Sequence, residues 1–134
     1  MEEYKKILIQ RNIEKSDEAM KGADLELKNN LLTNALNRTY YAVFYIVTAL
    51  ARKYSFVTSK HTSLLGWFNK KFIYEMKLFD EDMKDTYSNS FKLRQENDYD
   101  DSALPSYQQV EELIKDAKLF IEAVKKELYK QEEL

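Results

Sequence analysis

The chain has 134 residues, of which 44% are apolar and 33% charged, with a formal net charge of −2 and no cysteine. That length suits one domain able to bury about two thirds of the surface its unfolded chain exposes, and the composition excludes disorder, disulfides and thiolate chemistry. Two glycines and one proline are too few for the turns of a sandwich or an α/β fold, so a few long helices are expected.

The first helix is predicted from about Glu2 to Leu27, where Ile9, Ile13, Met20, Ala23 and Leu27 recur at helical steps. Gly22 weakens it locally and can mark a bend. Asn29 and Asn30 are expected to make a break and a cap. The second helix, NLLTNALNRTYYAVFYIVTALARKY, carries three rows. Leu32, Leu36, Tyr40, Val43, Val47, Leu50 and Tyr54 form an apolar stripe. Ala35, Ala42, Ile46 and Ala49 form a second, mostly small stripe that lets another helix come close. Asn34, Arg38, Tyr41, Tyr45, Thr48 and Arg52 form a polar, aromatic third side. A helix apolar on most sides is a central one.

Thr58 or Ser59 is the expected N-cap of a third helix, covering about Lys60–Ile73 with Leu64, Leu65, Phe68 and Phe72 inward. A fourth helix is predicted from Asp80, as its cap, to about Glu96, carrying Met83, Tyr87, Phe91 and then Leu93 or Arg94. NDYDDSALP reads as loop. Ser106 and Gln109 form a capping box after Pro105 and start the fifth helix, whose stripe is Val110, Leu113, Ala117, Ile121, Val124 and Leu128. The sum is an all-α, up-and-down helical bundle of about five helices, a single domain over residues 1–134.

Charge is unevenly spread. Residues 29–79 hold seven Lys or Arg and one acid, Glu75. Either the central helix simply lacks acids because it is buried, or a positive middle attracts an anion. Arg38, Arg52 and Lys53 bracket the longest apolar stretch, and no signal-peptide pattern is present, so a soluble, cytoplasmic protein with no membrane span is expected.

One histidine and no cysteine leave no zinc cluster. Asp98, Asp100 and Asp101 lack the central glycine and terminal glutamate of a calcium loop. Gly22 and Gly66 stand alone, so no glycine-rich phosphate loop exists, and no metal or cofactor is expected. His61 follows Lys60 at a helix start. A positive neighbour and the helix N-terminus both favour the neutral ring, which suits a base or an anion contact as well as a plain surface or capping histidine. Trp67, Tyr74 and Phe79 read as core or interface residues before base-stacking platforms. Arg94 has Asp98 four residues on. The two make either a surface ion pair or a guanidinium held by an acid so that its fork grips phosphate. Periodicity does not choose.

NALNRTYYAVFYIVTALA (34–51), SKHTSLLGWFNKKFI (59–73) and LRQENDYDD (93–101), in that order, resemble the HEPN (higher eukaryotes and prokaryotes nucleotide-binding) domain. The likeness is to its small stand-alone bacterial and archaeal branch, with an Asn-Arg-x-Tyr-Tyr-Ala-x-Phe central helix and an Arg-x-x-x-Asp-Tyr motif. The resemblance implies a homodimer with the motif arginines around a shared cleft, and a partner that is a minimal nucleotidyltransferase, often in a toxin–antitoxin module. It implies, for active members, metal-independent endoribonuclease chemistry in which an arginine stabilises the phosphate and a histidine, separated from it by four to six intervening residues, serves as acid–base. On this chain Arg94 matches the motif arginine, Asn37 and Arg38 match the polar pair of the central helix, with Tyr41 beside them, and Tyr99 stands five after Arg94. No histidine follows Arg94. His61 replaces it only if folding or dimerisation brings it there, with Lys60 alongside. The resemblance also makes Tyr99 a possible site of AMP modification by the partner. Three readings follow: a module binding a nucleotide or RNA phosphate beside its nucleotidyltransferase; an active endoribonuclease toxin using Arg94 with Asp98, Tyr99 or His61; and a helical adaptor with no anion site.

Overall fold

The computed structural model describes residues 2–99, 102 and 104–130. Helices α1 (Glu2–Lys28), α2 (Leu32–Lys53), α3 (His61–Phe68), α4 (Thr86–Tyr99) and α5 (Tyr107–Tyr129) form an up-and-down bundle, and no strand occurs among the described residues. No helix among them is long and apolar enough to cross a membrane.

Helix α2 is the hub, packed along α1 and against α3, α4 and α5. Its two apolar rows explain why. Leu36, Tyr40, Val43, Val47 and Leu50 are buried, as are Ala35, Ala42, Ile46 and Ala49. The small row admits α1 so closely that the buried Ser16 hydroxyl donates to the Ala42 carbonyl at 2.7 Å. Helix α1 runs through Gly22 without a break, and the Arg38 side chain lies over that glycine. The turn after α1 places Asn30 at φ 59°, a left-handed position that asparagine tolerates. Asn29 caps the end of α1 by donating from its amide to the Leu25 carbonyl at 2.9 Å. The Ser106–Gln109 capping box starts α5 as the sequence predicts.

The middle of the chain departs from expectation in four places. The N-cap of α3 is Lys60 and makes no side-chain cap; the Thr58 hydroxyl instead accepts from the Lys60 N–H at 3.2 Å, closing the preceding turn. Helix α3 does not stop at Ile73 but widens into π-helical turns over Asn69–Glu75, where the Met76 N–H reaches back five residues to the Lys71 carbonyl. Helix α4 begins at Thr86 rather than after Asp80. The Asp80 carbonyl accepts from the Met83 and Lys84 N–H groups, so residues 81–85 are turns. A helix there would set Glu81 against Asp85 at i,i+4, a repulsive pair. At its far end α4 continues to Tyr99, past the predicted Glu96.

An aromatic cluster locks this middle to the rest. Phe68 packs on Phe72, Phe79, Tyr87 and Phe120 with ring centroids 5.5–5.7 Å apart. Trp67 stacks on Phe56 at 5.0 Å, so Trp67 and Phe79 serve packing, whereas Tyr74 is exposed. The Tyr87 hydroxyl is buried without a hydrogen-bond partner among the described residues. An unmatched buried polar group costs about 1–3 kcal/mol. Tyr87→Phe is therefore expected to raise stability by about 1 kcal/mol, read as a higher urea midpoint at unchanged slope.

Candidate functional site

Tyr40 and Tyr41 are neighbours on α2. Tyr40 turns inward and is fully buried, while Tyr41 is half-buried. Arg94, on the face of α4 that meets α2, sets its guanidinium carbon 5.0 Å from the Tyr40 ring centroid and 5.1 Å from that of Tyr41. Two rings facing one cation hold it by their quadrupoles. The Asp98 carboxylate is 3.8 Å from Arg94 Nε, too far for a hydrogen bond. The two rings, and the Tyr40 hydroxyl toward which the guanidinium donates, hold Arg94 more than the acid does, and its side chain remains 27% exposed. That exposure leaves part of the Arg94 side chain accessible to a ligand.

His61 opens α3 and joins the same group. Its ring stacks on Phe44 at 4.1 Å and meets the Tyr41 ring edge-on at 6.0 Å. Its Nδ1 lies 2.7 Å from the Tyr40 hydroxyl oxygen. Folding thus brings together the chain's single histidine and Arg94 across Tyr40 and Tyr41. Burial, and then the Arg94 charge, lower the His61 pKa from its ordinary value, so the ring is neutral at neutral pH. Burial pushes the Tyr40 hydroxyl up to about 12 against the pull of Arg94, so Tyr40 keeps its proton.

The remaining predicted residues are not all here. Asn37 lies one turn before Tyr40 and Tyr41 on the same face of α2, with its Oδ1 buried and unpartnered among the described residues. Lys60 is exposed beside His61. Tyr99 ends α4, is 85% exposed, and sits about 140° around the helix from Arg94. Arg38 is elsewhere: it spans to α1, with Nε 3.2 Å from Glu26 Oε1. Asp100 and Asp101 lie outside the described residues. The positive middle is also largely engaged internally. Arg52 donates to Asn12 at 2.8 Å, Lys53 donates to the Glu127 and Lys130 carbonyls, and Lys71 sits over the Tyr54 ring. Arg38→Ala is accordingly expected to cost less than about 1 kcal/mol, the worth of an exposed ion pair, and to leave anion binding unchanged in a titration.

Sequence reasoning placed Tyr40 in the core and missed its part in this cluster, together with Phe44 and Phe91, whose ring centroid is 6.1 Å from that of Tyr40. The available signal was a phenol in the middle of a stripe aliphatic from Leu32 to Leu50, since a buried hydroxyl needs a partner.

An all-helical bundle with one arginine seated on a tyrosine pair that a histidine also contacts defines a class of helical proteins with a cationic, aromatic site. The chain belongs to the HEPN domain family, whose model matches residues 9–128. It is similar to a "UPF0332 protein" of Thermotoga maritima, 34% identical over 81% of this chain and 82% of the relative. It is also similar to two proteins of Methanocaldococcus jannaschii. "Putative toxin MJ0605" is 29% identical over 90% of this chain and 88% of the relative, and "Putative toxin MJ0142" is 28% identical over 93% and 84%.

Proposed function

We propose that this chain is a toxin-like HEPN protein that holds a nucleotide or RNA phosphate at Arg94. In this reading it acts in the cytoplasm as a homodimer beside a minimal nucleotidyltransferase, in a toxin–antitoxin-type module. The observation that carries the reading is the guanidinium seated on Tyr40 and Tyr41, on a side chain that is partly exposed and makes only a loose contact to Asp98. A pinned planar fork suits bidentate capture of a phosphate. Two relatives named "Putative toxin" support the module. Tyr99, exposed at the end of α4, is accessible to a modifying partner.

Binding is favoured over turnover because the nearby phenol is a poor base. Tyr40 at about 12 is far from the range in which a general base works at neutral pH. The second reading, a metal-independent endoribonuclease, is favoured by one fact: His61 reaches the Arg94 cluster although it does not follow it in sequence. Titrating the protein with AMP and with a short single-stranded RNA in EDTA separates these. Saturable binding without strand scission is expected. Scission that disappears in Arg94→Ala would establish the second reading, and absence of binding would leave a helical adaptor.

A further inference from the structure

The Tyr40 hydroxyl is fully enclosed; the Arg94 guanidinium donates toward its oxygen, and His61 Nδ1 lies 2.7 Å away. That short contact is a hydrogen bond with two possible directions. If Nδ1 carried the ring proton and donated, the Tyr40 hydrogen would be left inside the protein without an acceptor, beside the Arg94 cation. A buried donor without an acceptor is strongly disfavoured. A neutral imidazole has one N–H and one lone pair, so fixing Nδ1 as the acceptor fixes Nε2 as the donor.

We propose that Tyr40 is a positioning residue that locks His61 in its Nε2–H form, so that histidine and Arg94 together offer only hydrogen-bond donors to a bound phosphate. Arg94 and His61 both rest against Tyr40 and Tyr41, and the groups facing the imidazole are Arg94 from α4 and Tyr40 and Tyr41 from α2, with Lys60 preceding it in sequence. The lock has a chemical consequence. A general base must present a lone pair to the proton it removes, and Nε2–H presents none. The same hydroxyl that equips His61 to bind an anion withholds it from abstracting the RNA 2′-hydroxyl proton. For the anion this rests on the phosphate reading of Arg94; the tautomer itself does not.

The chain has a single histidine, so a long-range proton–nitrogen NMR spectrum of the imidazole reads one ring. At neutral pH the spectrum is expected to show a neutral ring protonated on Nε2, and added AMP is expected to move the Nε2 signal. Tyr40→Phe keeps the ring packing and deletes only the hydroxyl. It is expected to abolish the tautomer preference and to weaken AMP binding by about three- to tenfold, the loss of one hydrogen bond. A wild-type ring protonated on Nδ1 would overturn the proposal, as would a Tyr40→Phe spectrum identical to wild type. Were Tyr40→Phe unable to fold, the wild-type spectrum alone would still decide the direction of the bond. A protein with the Nε2–H pattern that ignores AMP and RNA would keep the lock, discard its anion role, and overturn the phosphate reading instead.

Discussion

Arg94→Ala is expected to weaken AMP and RNA binding by about 30- to 1,000-fold, the effect of removing two charge-assisted hydrogen bonds worth about 2–4 kcal/mol together. The fold should barely notice. The Arg94 side chain is 27% exposed and its acid partner lies at 3.8 Å, so its structural worth is mainly the attraction to two tyrosine rings and the hydrogen bond it donates toward the Tyr40 hydroxyl. Cation–π contacts of this kind contribute about 1 kcal/mol, which for a domain of this size lowers Tm by about 3–6 °C. Arg94→Lys refines the test. Lysine keeps the charge and loses the planar fork, so binding should fall between wild type and alanine. Calorimetric titration and thermal melting on the same preparations check both halves. Unchanged binding with a drop in Tm of more than about 10 °C would make Arg94 a structural tie and end the anion reading.

Legibility of the sequence followed the range of the interactions. Helix α2 was readable because its burial repeats every turn, and α5 because Ser106 and Gln109 make their cap within four residues. The stretch from Asn69 to Asp85 was not. A π-helical turn shifts the register of a 3.6-residue pattern, and the Glu81–Asp85 repulsion opposes a helix that the apolar spacing of Met83 and Tyr87 suggests. Within the site, the Arg94–Asp98 neighbourhood was visible as an i,i+4 pair, although the geometry makes it a loose one. The approach of His61 to Arg94 was invisible, because the two are on different helices and meet only through α2. The Asn37–Arg38 pair shows the opposite error. Adjacent residues on a helix point about 100° apart, and here one faces the Tyr40 side while the other leaves for Glu26 on α1.

The largest expected effect on stability lies away from Arg94, at Phe68. Its ring is fully buried and touches four other aromatic rings, from the π-helical turn, the following connection, α4 and α5. Phe68→Ala leaves a cavity that no single neighbour can fill, at a cost of about 3–5 kcal/mol. Against a total stability of about 5–15 kcal/mol, that would reduce Tm by about 10–25 °C, measurable by circular dichroism. Below the melting range, binding should respond differently. Phe68 is two turns along α3 from His61, so loosening it frees the histidine end of the site. Arg94 remains on α4, seated on two rings of α2. AMP affinity in Phe68→Ala is therefore expected to fall by no more than Tyr40→Phe lowers it, far less than in Arg94→Ala. The two substitutions should dissociate, one removing stability and sparing most binding, the other the reverse. If both instead lost binding alike well below their melting temperatures, the anion site would depend on the seating of α3 as a whole, and the guanidinium on its tyrosine pair would not suffice to hold a phosphate.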